Sequence, residues 1–150
     1  MIREDVRVEL RSDPRLLKAV RNFVRGYLEN QEVPAERVDA AVLAVDEACT
    51  NALRHACARD PESRFSVGLG SDETWLEITV RDEGEPAARG RIESRPMTAP
   101  DEQTLRPGGL GMGIIRAVFD EVEFAPGEPR GNCVTMRLRR KGMESDDASD

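Results

Sequence analysis

From Val33-Pro34 to about Cys57 the sequence follows a helical period, yet it has too little polar surface for an ordinary two-faced helix. At about 100° per residue, Val38, Ala41, Val42, Val45, Cys49, Ala52, Leu53 and Ala56 fall on one side. That stripe is wide enough to bury the helix against a sheet. The opposite side, which a surface helix fills with charge, holds Ala40, Leu43, Ala44 and Ala48. Among these stand Glu47 and Asn51, four positions apart and so stacked on one face. Small neighbours leave room for a ligand, which predicts the wall of a pocket. A carboxylate beside an amide offers the hard oxygen donors that suit Mg²⁺, an ion that keeps most of its waters and takes substrate phosphates as well. Taken alone, the two residues fit an ordinary solvated pair equally well. His55 continues the same line, where a lone histidine is more often structural than catalytic. Asp46 points elsewhere on the wheel and is expected to be solvated.

The flanking segments supply a sheet for this helix. Val6, Val8 and Leu10 alternate with polar residues and predict a first strand. Asp13-Pro14 predicts a helix start, followed by Leu16, Leu17, Val20, Phe23, Val24, Tyr27 and Leu28 at helical spacing. Phe65–Leu69 and Thr74–Val80 predict a hairpin around Gly70-Ser71-Asp72-Glu73. Residues 82–109 keep no period and contain Gly84, Gly90 and four prolines, which predicts a long functional loop. A third helix over about Leu110–Phe119 then leads into strand Glu121–Ala125. A last strand comes next, with Val134, Met136 and Leu138 on one face. Antiparallel strands with helices segregated to one face make an α+β two-layer sandwich, one domain over 1–140. Residues 141–150 read as an acidic disordered tail.

Charge and cysteine content narrow the classes of function. A net charge of −7 opposes binding to a phosphate backbone, so no direct nucleic-acid partner is expected. No apolar run nears the roughly 18 residues of a membrane span, and Met1-Ile2-Arg3-Glu4-Asp5 opens without a leader's apolar segment. Cys49, Cys57 and Cys133 form no metal-type spacing and read as reduced thiols, which implies a cytoplasmic protein.

Two glycine-bearing loops complete the chemistry. The strand ending at Val80 runs into Arg81-Asp82-Glu83-Gly84, where a carboxylate at the strand's end can accept from an amino group while glycine turns the chain. A plain Asp-x-Gly turn has the same letters. Further on, Pro107-Gly108-Gly109-Leu110-Gly111-Met112-Gly113 enters a helix. Glycines admit a polyphosphate close to backbone N–H groups, and the helix dipole favours it. Neither a G-x-G-x-x-G fingerprint nor a Gly-Lys-Ser/Thr loop is present.

In order, Glu47-x-x-x-Asn51-Ala52, Asp82-x-Gly84 and Gly109-Leu110-Gly111-Met112-Gly113 resemble the N, G1 and G2 boxes of the GHKL ATPases. Leu43–Ala56 and Gly109–Val122 are similar to the anti-sigma-factor serine/threonine kinase branch of that superfamily. The resemblance implies a Bergerat ATP-binding fold, with a mixed, mostly antiparallel sheet of four or five strands. It makes Glu47 the general base and Asn51 the Mg²⁺ ligand. Asp82 would bind the adenine amine and Gly84 shape its turn. Gly109, Gly111 and Gly113 would serve the lid and phosphate contacts, and residues 86–108 would be the ATP lid. Arg106, placed by position and charge, would reach a phosphate. The implied cofactors are ATP and Mg²⁺. The implied partners are a STAS-domain anti-anti-sigma factor, a sigma factor and a second copy of the chain. Glu85-Pro86 stands where the family often has a second glycine, and Cys133 near where it often has an adenine-lining threonine.

Rival readings divide on small features. A histidine kinase needs a helical hairpin bearing its acceptor histidine, whereas the lone histidine here, His55, lies inside the Glu47–Asn51 helix. Hydrolytic relatives need further domains for mechanical work. An anti-sigma binding module that sequesters its partner with little phosphotransfer is the remaining alternative.

Overall fold

The computed structural model describes residues 2–57, 62–83, 107–126 and 131–140, with the side chains of 55–57 and 107–111 excepted. Gly84, Arg106, residues 86–106 of the expected lid and the expected tail lie outside the described residues. Strand β1 (Arg3–Arg11) leads through a 3₁₀ turn (Pro14–Leu16) into α1 (Leu17–Asn30) and then α2 (Ala35–Cys57). Strands β2 (Arg64–Ser71) and β3 (Trp75–Asp82) come next, then α3 (Pro107–Val118), β4 (Glu121–Pro126) and β5 (Asn132–Arg139). The five strands form one sheet in the order β1-β2-β3-β5-β4. Every ladder is antiparallel. The sheet is therefore simpler than the mixed one the resemblance implies, and the topology gives the reason. β3 and β4, joined through α3, run parallel, but β5 returns from β4 and inserts between them. Among the described residues no parallel pair is left in contact.

Local chemistry sets the boundaries. Asp13 caps the first turn by accepting from the Arg15 backbone N–H at 2.9 Å, as the Asp-Pro signal predicts. The proline-led turn is 3₁₀, and the α-helix proper starts at Leu17. At the β2–β3 turn, Asp72 Oδ1 accepts from the backbone N–H groups of Thr74 and Trp75, both at 2.7 Å. These bonds hold the Asp72 carboxyl below the usual range. β2 is longer than expected because Gly68 and Gly70 stay in the ladder on the outer face. A Cβ on Gly70 would collide with the Arg3 carbonyl of β1.

Side-chain alternation separates the two faces. Across the sheet, Leu10, Phe65, Asp82, Asn132 and Pro126 form one row. Val8, Val67, Val80, Val134 and Phe124 form the next. These rows face the helices, and with Leu69, Ile78, Met136 and Leu138 they make the sheet's half of the core. α1 contributes Val20, Val24 and Leu28; α2 contributes Val38, Ala41, Val42, Val45, Cys49 and Leu53. The other face is polar. Arg7 donates to Glu4 and, at 2.9 Å, to Ser66 Oγ; Arg137 donates to Glu77 at 2.8 Å and Glu121 at 3.3 Å; the Arg139 guanidinium lies 4.8 Å from the Trp75 ring centre. Among the described residues, helices thus cover one face only, as the two-layer reading requires. Among the described residues no helix is long and apolar enough to cross a membrane.

Candidate functional site

The topology brings four sequence features to one end of the sheet. β2 begins where β3 ends, since Phe65 pairs with Asp82, so the short connection from α2 brings that helix's C-terminal half to the Asp82 end. α3 runs the other way. Its last residues lead into Asp120, whose backbone N–H donates to Arg137 at the far end of β5, and so its glycine-bearing start lies toward Asp82. Asn51, the C-terminal half of α2, Asp82 and the N-terminus of α3 therefore share one edge, with Glu47 one turn below Asn51.

Glu47 and Asn51 are both half-buried, on the side of α2 away from the sheet. Among the described residues neither makes a hydrogen bond or ion pair. The expected pocket wall needs correction in its lining. Ala44 is fully buried and Ala48 is 3% exposed, so both belong to the core rather than to an open wall. Helical geometry explains this: they adjoin the apolar stripe on its flank, and α3 packs against α2. The exposed strip is narrower, with Leu43, Glu47 and Arg54 along it. Asp46 is also corrected. Rather than being freely solvated, its carboxylate accepts from Arg21 Nη1 at 2.8 Å and ties α2 to α1. Arg25 and Asp39 make a second such link at 2.7 Å.

Asp82 is only 4% exposed, on the helix-facing side of the sheet. A buried carboxylate is costly unless it is hydrogen-bonded. Asn132, its cross-strand partner, donates to Asp82 Oδ1 through Nδ2 at 3.2 Å. Gly131, just before, has φ +98°, and a Cβ there would strike the Asp82 backbone carbonyl. Sequence pattern alone does not single out Asn132 or Gly131. Their signal is the Gly-Asn pair opening the last strand, but its meaning depends on β5 lying beside β3, which no local pattern reveals. Cys133 pairs with Arg81 and Ala125 on the outer face, opposite the side on which Asp82 lies; Val134 faces inward instead.

α3 begins at Pro107, three residues before the expected start, and takes Gly109, Gly111 and Gly113 into its first two turns. Proline at the first helical position needs no N–H partner and is preorganised for the helix. Gly84 and Arg106 lie outside the described residues, as does the side chain of His55. No group of three or more His, Cys, Asp or Glu able to hold a metal occurs among the described residues.

Comparison with known proteins places this arrangement. A family model for the histidine kinase-like ATPase domain matches residues 10–138. The serine-protein kinase RsbW of Bacillus licheniformis is 30% identical over 122 residues, covering 77% of this chain and 75% of that protein. RsbW of Oceanobacillus iheyensis is 29% identical over 123 residues, covering 79% and 77%. Among solved structures, the SiaB–SiaC complex of Pseudomonas aeruginosa contains a chain of the same fold. Its TM-score is 0.69 at 14% identity, over 91% of this chain and 90% of that one. The chain thus belongs to the histidine kinase-like ATPase family and, within it, to the anti-sigma-factor serine kinases typified by RsbW.

Proposed function

We propose that this protein is an ATP-dependent serine/threonine kinase and anti-sigma factor that phosphorylates a STAS-domain anti-anti-sigma factor in a partner-switching module. The observation that carries the reading is the convergence, at one end of the sheet, of Asn51, Asp82 and the glycine-bearing start of α3. Glu47 stands beside them on α2, unpartnered among the described residues. Membership of the kinase family supports it.

In this reading Asp82 accepts a hydrogen bond from the adenine amine. Asn132 keeps the carboxylate oriented, and Gly131 lets β5 approach it closely. Gly109, Gly111 and Gly113, with Gly84 and Arg106, serve the phosphate side. Asn51 would hold Mg²⁺. The donor set suits that ion, since an amide near a carboxylate offers hard oxygen donors to a cation that arrives with phosphates. Bound there, the ion would spread the charge that develops on the transferring phosphoryl group. Glu47 takes the proton of the attacking serine or threonine hydroxyl; it is half-buried on the side of α2 away from the sheet, and no hydrogen bond to the described residues competes. Phosphorylation adds about two negative charges to the antagonist's contact surface, enough to change which partner binds. The sigma factor, a homodimer and a cytoplasmic setting complete the proposal.

Labelling tests it. With γ-labelled ATP, Mg²⁺ and STAS-domain proteins from the same cell, the expected result is acid-stable label on serine or threonine that disappears in Glu47→Ala. Free phosphate without labelled protein contradicts the kinase reading in favour of hydrolysis. ATP binding with neither product leaves a sequestering module.

A further inference from the structure

Leu43 is the one large hydrophobic side chain left exposed among the described residues, at 52%. It occurs on a helix whose other leucine and valines are buried, Val38, Val42, Val45 and Leu53 among them. Its place is informative. Leu43 precedes Glu47 by four positions, so the two side chains stack on one face about 6 Å apart along the axis. The same strip continues to the exposed Arg54 and back to the exposed Glu36. The neighbouring helix does not cover it, because α1 meets α2 further round, at Asp46 and Asp39.

We infer that Leu43 is the apolar anchor for the protein acceptor, filling a contact beside the serine or threonine that is phosphorylated. This rests on the kinase reading of Glu47. For Glu47 to take a hydroxyl proton, the acceptor must come within hydrogen-bond distance of its carboxylate. A folded protein docked there covers about 800 Å² of this chain, a patch of roughly 16 Å radius. A side chain one helical turn away lies well inside that patch. The proposed acceptor is a folded protein of this kind, so its surface beside the hydroxyl reaches Leu43. The occupant is thus a folded protein with an apolar side chain next to its acceptor hydroxyl. Leucine sets affinity for that partner and plays no part in ATP binding, which belongs to the Asp82 end.

Steady-state kinetics on Leu43→Ala and Leu43→Asp test this, using the protein that the wild type labels as acceptor. Both are exposed-site changes, and alanine keeps the helix's propensity. KM for the acceptor is expected to rise about five- to tenfold in Leu43→Ala, matching loss of a half-exposed leucine's burial. In Leu43→Asp it rises by about 100-fold, since a carboxylate is then driven into an apolar contact. The kcat at saturating acceptor and the calorimetric Kd for ATP stay at wild-type values. An unchanged acceptor KM, with Glu47-dependent transfer intact, overturns the anchor and leaves the kinase reading standing. A wild type that labels no protein overturns both. A changed sedimentation mass for Leu43→Ala alone assigns the residue to a contact between copies and overturns the anchor as well.

Discussion

Gly131→Ala adds one methyl group at the point where β5 enters the sheet, at two independent costs. The backbone φ of +98° is one that an L side chain rarely adopts, and holding a non-glycine residue in such a region costs about 1–3 kcal/mol. The new Cβ also meets the Asp82 carbonyl oxygen and carbon and the Glu83 Cα, all backbone atoms that no rotamer change can move. Overpacking of this kind costs about 1–3 kcal/mol more. Together they give a loss of about 2–6 kcal/mol, a Tm lower by roughly 5–20 °C for a chain of this size. Because relief requires Asp82 to shift, the proposed adenine contact predicts a fall in ATP affinity beyond what unfolding accounts for. Gly26→Ala is the internal control. Gly26 lies in α1, and a Cβ there would meet nothing within 4 Å, so the same methyl stabilises by about 1 kcal/mol through helix propensity. Urea unfolding of the two variants, with ATP titrations by calorimetry on the folded fraction, measures both effects. A Gly131→Ala protein as stable as wild type, or a Gly26→Ala protein equally destabilised, refutes the reasoning.

Glu47→Ala is expected to bind ATP normally and to unfold within about 0.5 kcal/mol of wild type, because the carboxylate makes no hydrogen bond or ion pair with the described residues, while phosphotransfer falls about 10²-fold or more; single-turnover transfer equal to wild type removes Glu47 from the base role. Asp82→Asn, which exchanges an acceptor for a donor at a buried site bonded to Asn132, is expected to weaken ATP at least tenfold with little effect on acceptor binding, and an unchanged calorimetric Kd for ATP contradicts the adenine assignment. Burial pushes the Cys49 thiol up to about 12. The folded state then keeps a proton that the unfolded chain loses near pH 9, so this contribution to stability is present below about pH 9 and fades as pH rises toward 12. Urea midpoints of wild type should fall more steeply across that range than those of Cys49→Ala, and parallel profiles count against it.

Local pattern made the elements legible. The alternation at Val6, Val8 and Leu10, the Asp13-Pro14 start and the inward set Val134, Met136 and Leu138 each became the element they signalled. Patterns are local, so features that depend on neighbours were not legible. Ala44 and Ala48 look like room for a ligand on a helical wheel, but burial against another helix is a tertiary fact. The Asp46–Arg21 pair spans two helices whose relative placement no spacing encodes. At the proposed site, Glu47, Asn51 and Asp82 could be singled out as candidates because their residue types are unusual where they occur. Asn132 and Gly131 could not, because their importance comes from the strand beside them. α3 starts earlier than its sequence predicts because glycine runs suggest loops, whereas Pro107 provides a helical first position even ahead of such a run.

The placement of β5 between β3 and β4 has a consequence for how the chain is made. The segment that leaves the ribosome last among the described elements is an interior strand, not an edge. Until Asn132–Arg139 has emerged, β3 lacks one neighbour and β4 lacks the only described strand it pairs with. Asp82 likewise has neither Asn132 nor Gly131 beside it. A nascent chain stopped before Asn132 therefore carries Glu47, Asn51 and the glycines of α3, but its Asp82 carboxylate has not yet met the strand that orients it. On the proposed adenine contact, competence to bind ATP waits for the last described strand.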